Sequence, residues 1–131
     1  MPIFENATFA VGVERDVTEA LIKEIQRSTP MRVTTGSVAD SEISGVITAV
    51  EMRRLSLERR TGYAQELAYM ITVDFEWRDR RTGKVLTSRR NFQAIDTFVP
   101  ARPTGERIEV GQYAAAQRLA RDLVHEMRAA W

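Results

Sequence analysis

The side chains of this chain that could do chemistry are its charged ones, because it lacks the groups that most catalytic and metal sites need. It contains no cysteine and a single histidine, His125. Thiol catalysis, thiolate metal sites and sites built on two histidines are therefore excluded. No stretch has the spacing of a calcium loop, a glycine-rich phosphate loop or a nucleophile elbow. We therefore expect no enzyme, no cofactor and no metal site.

Arginine residues form two clusters, each around a copy of the same four-residue string, Arg-Arg-Thr-Gly. The first arginine cluster comprises Arg53, Arg54, Arg59 and Arg60, and the second comprises Arg78, Arg80, Arg81 and Lys84. Arginine binds phosphate groups bidentately, so a cluster of this kind could contact a polyanion. The other interpretation is that these arginines protect turns and an exposed strand face from aggregation. Nucleic acid is disfavoured, because the formal net charge is only +1 and no exposed aromatic residues accompany the basic ones.

The elements that position these clusters are three consecutive strands joined by two tight turns. Alternate residues from Leu67 to Trp77 are large and apolar, which predicts a middle strand with one buried face. Each Arg-Arg-Thr-Gly string predicts a four-residue loop whose glycine supplies a positive φ, so that Asp79 faces Lys84 across the second turn. Since the two turns close opposite ends of the middle strand, the two clusters are expected at opposite ends of the sheet.

The two turns also predict a register for both ladders. Counting from the first turn places Met52, Val50 and Val46 opposite Tyr69, Ile71 and Phe75. Counting from the second turn places Leu86, Phe92 and Ala94 opposite Trp77, Ile71 and Tyr69. The same register predicts an outer-face ion pair between Asp74 and Arg89.

Segments with helical periodicity flank this meander. Val13, Val17, Leu21 and Ile25 recur every four residues and predict a helix over about 13–28, ended by Pro30. A second apolar stripe predicts a helix over about 110–130. Short strands are expected at 3–4 and 32–35. We therefore predict one α+β domain over residues 1–131, a two-layer sandwich with a mainly antiparallel sheet of four or five strands and two helices packed on one face.

Several segments resemble one known family along nearly the whole chain. They are PIFEN at 2–6, TEALIKEI at 18–25, TP at 29–30, SGVI at 44–47, QEL at 65–67, VDFEWRD at 73–79 and RTGKVL at 81–86. This set resembles the lipopolysaccharide-assembly lipoprotein family, the LptE-like group. The matching motifs are a helix, strands and turns, so the resemblance concerns the scaffold and not a catalytic site.

The resemblance implies a fold of two helices on a small sheet and a location at the periplasmic face of the outer membrane, held by a lipidated N-terminal cysteine. It also implies a non-enzymatic role as plug and chaperone of an outer-membrane β-barrel partner that inserts lipopolysaccharide, and lipopolysaccharide binding through basic residues. That lipid anchor, the signal peptide and most of the first strand have no counterpart among the 131 residues. We expect either a truncated chain or a start codon assigned too far downstream.

The candidate lipopolysaccharide-phosphate contacts are the residues of the first arginine cluster. No family binding motif matches them, so this assignment depends on the clustering of their charges. A second hypothesis is a periplasmic or cytosolic adaptor of the same fold that binds another protein and has no affinity for lipopolysaccharide. Ile47, Ala49 and Met70 support it, because the predicted register leaves them on the outer face of the sheet. A hydrolase or a nucleic-acid binder forms a third class.

Overall fold

Four strands and two helices make up the part of the chain that the computed structural model describes. It describes residues 4–34, 39–54, 67–98 and 108–129, apart from the side chains of Arg54, Phe98 and 108–110. The elements in chain order are β1 (Phe4–Asn6), α1 (Val13–Ser28), β2 (Ser41–Arg54), β3 (Leu67–Asp79), β4 (Val85–Phe98) and α2 (Ile108–Ala129). The strands form one sheet in the order β1-β2-β3-β4. This arrangement confirms the predicted α+β class.

The sheet is mixed. β1 pairs with β2 in parallel, whereas the β2–β3 and β3–β4 ladders are antiparallel. Because α1 connects β1 to β2, the opening unit is a short strand–helix–strand crossover of the kind that parallel neighbours require. The prediction of a mainly antiparallel sheet is confirmed, with β1 as its parallel edge.

Helix α1 has the predicted bounds. It begins after Gly12, whose φ of +82° is left-handed, a conformation that glycine adopts without steric cost. Glu14 and Asp16 occupy its first turn, where the helix dipole stabilises negative charge. At the other end the backbone N–H and hydroxyl of Thr29 both donate to the carbonyl oxygen of Ile25, and Pro30 follows.

The predicted strand at 32–35 is wrong for the residues that the structure describes. Residues 31–34 belong to no strand. Met31 and Val33 are half-buried and pack against the core. Their alternation with polar neighbours therefore reflects a connecting segment that anchors two side chains on the core, and not a strand that pairs with the sheet.

The core lies between the sheet and the two helices. Five residues from three elements are fully buried in one apolar cluster: Ile71 and Val73 of β3, Leu21 of α1, and Leu119 and Leu123 of α2. The rings of Phe75 and Phe92 meet edge to face, with centroids 5.4 Å apart, a favourable geometry for aromatic pairs. The helix-facing side of β3 is buried, as its alternation predicted, but the prediction of a single buried face is wrong for 68–73, because Ala68, Met70 and Thr72 on the other face are buried too.

A bulge in β2 changes half of the predicted β2–β3 register. Met52 pairs with Tyr69 and Val50 with Ile71, as predicted, but a shift between Ile47 and Ala49 places Val46 opposite Asp74 instead of Phe75. One extra residue moves every side chain beyond it to the other face. Ile47, predicted on the outer face, is consequently in the core with no exposed surface.

The bulge also positions β1. Beyond it Gly45 pairs with Phe75 on one side and with Phe4 on the other, and the Phe4 ring is fully buried. A Cβ atom at residue 45 would overlap that ring and lie 2.6 Å from the carbonyl oxygen of Asp74. Glycine is therefore required here by the close approach of Phe4.

Strand β4 departs from the predicted register in two steps. Arg78 pairs with Val85 next to the turn, as the four-residue loop requires, but register shifts follow between Trp77 and Arg78 and between Val73 and Phe75. The observed partners of Trp77, Ile71 and Tyr69 are Thr87, Ala94 and Asp96. Because two one-residue shifts restore the alternation, Phe92 and Ala94 still lie on the core side.

The predicted ion pair between Asp74 and Arg89 is also wrong, for the same reason. Arg89 lies opposite Phe75, on the helix-facing side, and its guanidinium is 3.4 Å from the carboxylate of Glu126 in α2. Asp74 instead accepts a hydrogen bond of 2.9 Å from the backbone N–H of Asn91 in the second bulge.

Candidate functional site

The first arginine cluster lies at the end of the sheet where β2 ends and β3 begins. Arg53 pairs with Ala68, and Arg54 with Leu67 in the last pair of the ladder. The side chain of Arg54 lies outside the described part of the structure, as do Arg59 and Arg60 with the first Arg-Arg-Thr-Gly string. The structure therefore places one of the four predicted side chains, and their convergence on one ligand stays a prediction.

Arg53 is accessible to a ligand. Its side chain is 70% exposed, and its guanidinium lies 3.3 Å from the carboxylate of Glu51, which is itself 46% exposed. Ion pairs between exposed side chains contribute at most about 1 kcal/mol. A phosphate group, which accepts two parallel hydrogen bonds from arginine, can therefore replace Glu51 as the partner.

The second arginine cluster is tied to carboxylates. Its turn has the predicted geometry, with Gly83 at φ +74° and Asp79 N–H donating to the Lys84 carbonyl oxygen at 2.8 Å. Arg81 lies 2.9 Å from Asp40, and Arg78 lies 3.0 Å from Glu76. The Arg81–Asp40 pair joins the turn to the residue that precedes β2, whereas the Arg78–Glu76 pair lies within β3, and all four side chains are at least 36% exposed.

The two clusters are too far apart to act on one small anion. They lie at opposite ends of β3, which has 13 residues, and a strand of that length spans about 40 Å. For the residues that the structure describes, the antiparallel order of β2, β3 and β4 places Arg53 at one end of β3 and the second turn at the other.

The segment between β1 and α1, residues 7–12, is a second candidate surface, which we call the β1–α1 loop. The side chain of Asn6 organises it. Its Nδ2 donates to the carbonyl oxygen of Ala10 at 2.6 Å and to the Glu14 carboxylate at 2.9 Å. Its Oδ1 accepts hydrogen bonds from the backbone N–H and the hydroxyl of Thr8, at 2.9 and 2.6 Å. Asparagine side chains commonly close turns in this way.

This organised loop presents two large apolar side chains to solvent. Phe9 is 104% exposed and Val11 is 91% exposed, and residues 7–12 carry no charge. Since β1 runs parallel to β2, the loop follows the strand end that lies toward Arg53 and not the end toward the second turn. An apolar, uncharged projection of this kind is suited to contact another apolar surface.

Sequence reasoning missed the β1–α1 loop. The available signal was the uncharged run from Ala7 to Gly12 with apolar residues at alternate positions just before a helix. That pattern has neither helical periodicity nor enough length for a paired strand, so it predicts neither element. The outward direction of its two large side chains is visible only in the tertiary structure.

A chain of hydrogen bonds joins three elements at the same end of the molecule. The Tyr69 hydroxyl donates to Gln112 Oε1 at 2.8 Å, and Gln112 Nε2 donates to the Asp16 carboxylate at 2.9 Å. Burial raises the pKa of the Tyr69 phenol, and the nearby Asp16 carboxylate raises it further. The chain links β3, α2 and the first turn of α1, directly beside the loop that precedes this helix.

A groove of about 240 Å³ opens at the other end of the sandwich, near the second turn. Its floor is apolar and includes Ile25, Trp77 and Met127, whereas its rim carries Arg32, Glu42 and Arg80. The rim thus presents both signs of charge. The groove could accept a small apolar group, but its lining selects no particular ligand.

We searched the described residues for a metal-ligand group and for a membrane-spanning helix. Across them, no three His, Asp or Glu side chains come together in a way that could hold a metal ion. None of the helices among these residues is long and apolar enough to cross a membrane. His125, the single histidine, is exposed on α2, as expected for a helix-surface residue.

The fold and these surfaces define a small two-layer α+β domain. A family model described as "LptE: Lipopolysaccharide-assembly" matches residues 1–130. The chain therefore belongs to the LptE family of lipopolysaccharide assembly, which confirms the resemblance noted in its sequence.

Solved structures show the same fold. The chain resembles a candidate lipoprotein from Caulobacter crescentus CB15, with a TM-score of 0.58 and 17% sequence identity over 96% of this chain and 88% of the other. At that identity the likeness concerns the fold alone. A comparison with curated proteins gave no match.

Proposed function

We propose that this protein is a non-enzymatic component of the machinery that assembles lipopolysaccharide in the outer membrane. In this role it works at the periplasmic face of that membrane, plugs or chaperones a β-barrel partner and assists the insertion of lipopolysaccharide. The observation that carries the proposal is the family match over residues 1–130. The attachment to the membrane is proposed to depend on a lipid anchor and not on these residues.

The first arginine cluster is the proposed contact for lipopolysaccharide phosphates. The exposure of Arg53 and its weak pairing with Glu51 support this assignment, because such a side chain changes partners at little cost. Arg78 and Arg81 form exposed ion pairs of the same kind, so the first cluster is preferred because it lies toward the end of the sheet that the exposed β1–α1 loop also occupies.

The β1–α1 loop is the proposed contact with the barrel partner. Phe9 and Val11 project from a backbone that Asn6 holds in place. A contact residue that is already ordered before binding loses little conformational entropy on association, and an aromatic anchor typically dominates an interface of this kind.

The lipopolysaccharide contact is tested by replacing Arg53, Arg54, Arg59 and Arg60 with glutamate and measuring binding to purified lipopolysaccharide. The matched control reverses the four charges of Arg78, Arg80, Arg81 and Lys84. We expect the first variant to bind at least about 10-fold more weakly, because each lost charge-assisted hydrogen bond is worth about 1.5–3 kcal/mol, and the control to bind nearly as the wild type does. Equal losses in both variants would contradict the site assignment.

The partner contact is tested by the double variant Phe9→Ser, Val11→Ser. Co-purification with the β-barrel protein encoded in the same genome should fall strongly, whereas Val85→Ser, an exposed apolar residue elsewhere, should leave it unchanged. Circular dichroism and thermal unfolding should show that the loop variant folds normally, since neither side chain packs on the protein. Undiminished co-purification would contradict the proposed loop contact.

A protein–protein adaptor without affinity for lipopolysaccharide is the second candidate function. The exposed loop favours it as much as it favours the barrel partnership. Its original basis is weaker, because Ile47 lies in the core and Met70 is only 9% exposed. The adaptor would be favoured if the wild-type chain, the reference in the charge-reversal experiment, bound a protein partner and showed no binding to lipopolysaccharide.

A further inference from the structure

The outer edge of β4 is a surface that the described strands leave unpaired. Strand β4 has 14 residues and is the last strand in the sheet, so no described strand pairs with its outer side. An open edge presents a row of backbone N–H and C=O groups that another strand can pair with. The two halves of this edge differ in how they are protected.

The half of β4 next to the second turn is protected against strand addition. Two register shifts interrupt its ladder with β3, and Asn91 adopts a φ of +56° in the second of them. Arg89 and Arg90 add exposed positive charge. Bulges and basic residues are the usual means by which edge strands avoid pairing.

The other half, residues 92–98, has none of these devices. Its ladder from Leu67–Phe98 to Val73–Phe92 is uninterrupted. The segment, Phe-Gln-Ala-Ile-Asp-Thr-Phe, contains no proline, lysine or arginine. Ile95, at its centre, is 48% exposed and pairs with Met70 on the outer face. We call this segment the open edge.

The backbone groups of the open edge that point away from β3 can be identified. The Thr48 hydroxyl donates to the carbonyl oxygen of Thr72 at 3.3 Å, so the backbone of Thr72 points toward β2. Backbone direction alternates along an antiparallel ladder, so Ile71 and Val73 point toward β4 and bond its even-numbered residues, Ala94 and Phe92.

The odd-numbered residues Gln93, Ile95 and Thr97 therefore point their backbone groups outward. A second observation agrees with this assignment. The Thr97 N–H donates to the Asp96 carboxylate at 2.9 Å, which leaves it outside the ladder with β3. The N–H and C=O groups of Gln93 and Ile95 are the outward pairs at the centre of the open edge.

We propose that the open edge pairs with the same edge of a second copy of this chain, antiparallel and about a two-fold axis at Ile95. This register places Ile95 opposite Ile95 and Gln93 opposite Thr97 on the outer face, and Ala94 opposite Asp96 on the other. The outward residues then form hydrogen-bonded pairs of up to about six bonds between the chains, and two of these require the Thr97 N–H to exchange the Asp96 carboxylate for Gln93 of the second copy.

The sequence of the open edge complements itself in this register. The two half-exposed Ile95 side chains cover each other, and the side-chain amide of Gln93 faces the hydroxyl of Thr97. The two Asp96 carboxylates each face an alanine and not each other, so no like charges are opposed. A self-complementary patch on a two-fold axis is the common basis of homodimers, and this makes a second copy the occupant that the residues themselves favour.

The expected dimer is weak. One seven-residue strand from each copy buries less than the roughly 1,000 Å² of a stable interface, so the association should depend on concentration. The barrel contact follows the strand at the opposite edge of the sheet, whereas Arg53 lies two strands from Thr97, since both pair with Ala68.

Sedimentation velocity between about 10 µM and about 1 mM tests the proposal, a range that brackets a weak interface of this size. We expect the dimer fraction to rise with concentration. Ile95→Lys, which opposes two like charges on the axis, should weaken the dimer at least about 10-fold. Val85→Lys is the matched control, because Val85 is an exposed apolar residue in the protected half of the same strand, and it should dimerise as the wild type does.

Disulfide trapping tests the register. Because the chain contains no native cysteine, any cross-link must involve the introduced residues. Directly opposed residues of a hydrogen-bonded pair lie about 5.5 Å apart at Cα, within reach of a disulfide. Ile95→Cys should cross-link to its own copy under mild oxidation, and Gln93→Cys should cross-link to Thr97→Cys in a mixture but not to itself. A monomer at every concentration, an Ile95→Lys dimer as tight as that of the wild type, or equal trapping at Val85→Cys would overturn the proposal.

Discussion

At the scale of single residues, Tyr69 shows how one polar atom is accommodated at the margin of the core. The residue is 3% exposed, yet its hydroxyl reaches Gln112 at 2.8 Å. A buried hydroxyl without a partner is costly, whereas a satisfied one contributes about 1 kcal/mol. The Gln112 amide has both a donor and an acceptor, so its Oε1 accepts the hydrogen bond from the phenol and its Nε2 donates one to Asp16.

The raised pKa of Tyr69 predicts a loss of stability at alkaline pH. The unfolded chain releases this proton near pH 10.0, whereas the folded protein retains it to a higher pH. The unfolded state therefore binds fewer protons above that pH, and the free energy of unfolding falls as the pH rises through and beyond it; below that pH this group contributes no pH dependence. Urea unfolding at a series of pH values from neutral to alkaline measures the decline.

Tyr69→Phe separates this effect from general alkaline denaturation. The variant should lose about 1 kcal/mol at neutral pH with its hydrogen bond, and its free energy of unfolding should decline less steeply above pH 10.0 than that of the wild type. Tyr113→Phe leaves the Tyr69 contacts intact, so it should retain the wild-type decline. Parallel declines in wild type and Tyr69→Phe would show that the phenol contributes nothing to the pH dependence.

At the scale of elements, bulges decide which faces the strands bury. The second bulge of β4 contains Asn91 at φ +56°, and its backbone N–H is held by the Asp74 carboxylate. Asparagine tolerates this left-handed conformation better than most residues, and glycine tolerates it best. The bulge therefore depends on a local backbone conformation that few residue types adopt.

Substitution at Asn91 should rank by the steric cost of a positive φ. Asn91→Gly should change the free energy of unfolding by no more than about 0.5 kcal/mol, whereas Asn91→Val should cost about 1–3 kcal/mol because a β-branched residue is strained there. Gln93→Val, at an exposed site of the same strand, is the control for the side-chain change and should be nearly neutral. Denaturant unfolding measures all three, and equal stability of Asn91→Gly and Asn91→Val would mean that the strand changes register to avoid the strain.

The same bulges mark the limit of what the sequence reveals about the fold. Apolar periodicity predicts α1 and the helix-facing side of β3, because burial of one face repeats apolar residues about every 3.6 positions in a helix and every 2 in a strand. The turn string at 80–83 predicts its loop, since glycine at a fixed position reports a required φ. A bulge has no such signature, because Thr48 and Asn91 are ordinary polar residues in a strand. A single extra residue nevertheless moves Val46 and Ile47 each to the face opposite the one predicted for it.

The candidate surfaces were predictable to a smaller extent. Charge clustering identifies Arg53 as an exposed basic residue, but it cannot show that Arg81 pairs with Asp40, which is 41 residues away in the chain. The β1–α1 loop and the open edge were not predicted, because exposure of apolar side chains depends on what the tertiary structure fails to cover. Such surfaces become visible only when all neighbouring elements are in place.

At the scale of the whole molecule, the proposed surfaces lie on opposite edges of one sheet. The β1–α1 loop follows the first strand, and the open edge belongs to the fourth. Four strands at about 4.8 Å spacing put about 14 Å between the outermost backbones. Sites at that separation without shared side chains usually act independently, so a barrel partner at one edge leaves the other edge free for a second copy.

This separation predicts that the two activities can be removed one at a time. Ile95→Lys should weaken concentration-dependent dimerisation at least about 10-fold and leave co-purification of the barrel partner unchanged. The Phe9→Ser, Val11→Ser variant should do the reverse, and the triple variant should show both losses with no additional destabilisation, because neither set of side chains packs against the other. Sedimentation velocity and co-purification on the same four proteins measure the result. Loss of the barrel partner in Ile95→Lys alone would instead mean that the open edge is itself part of the barrel contact, so that a partner strand and not a second copy pairs with β4.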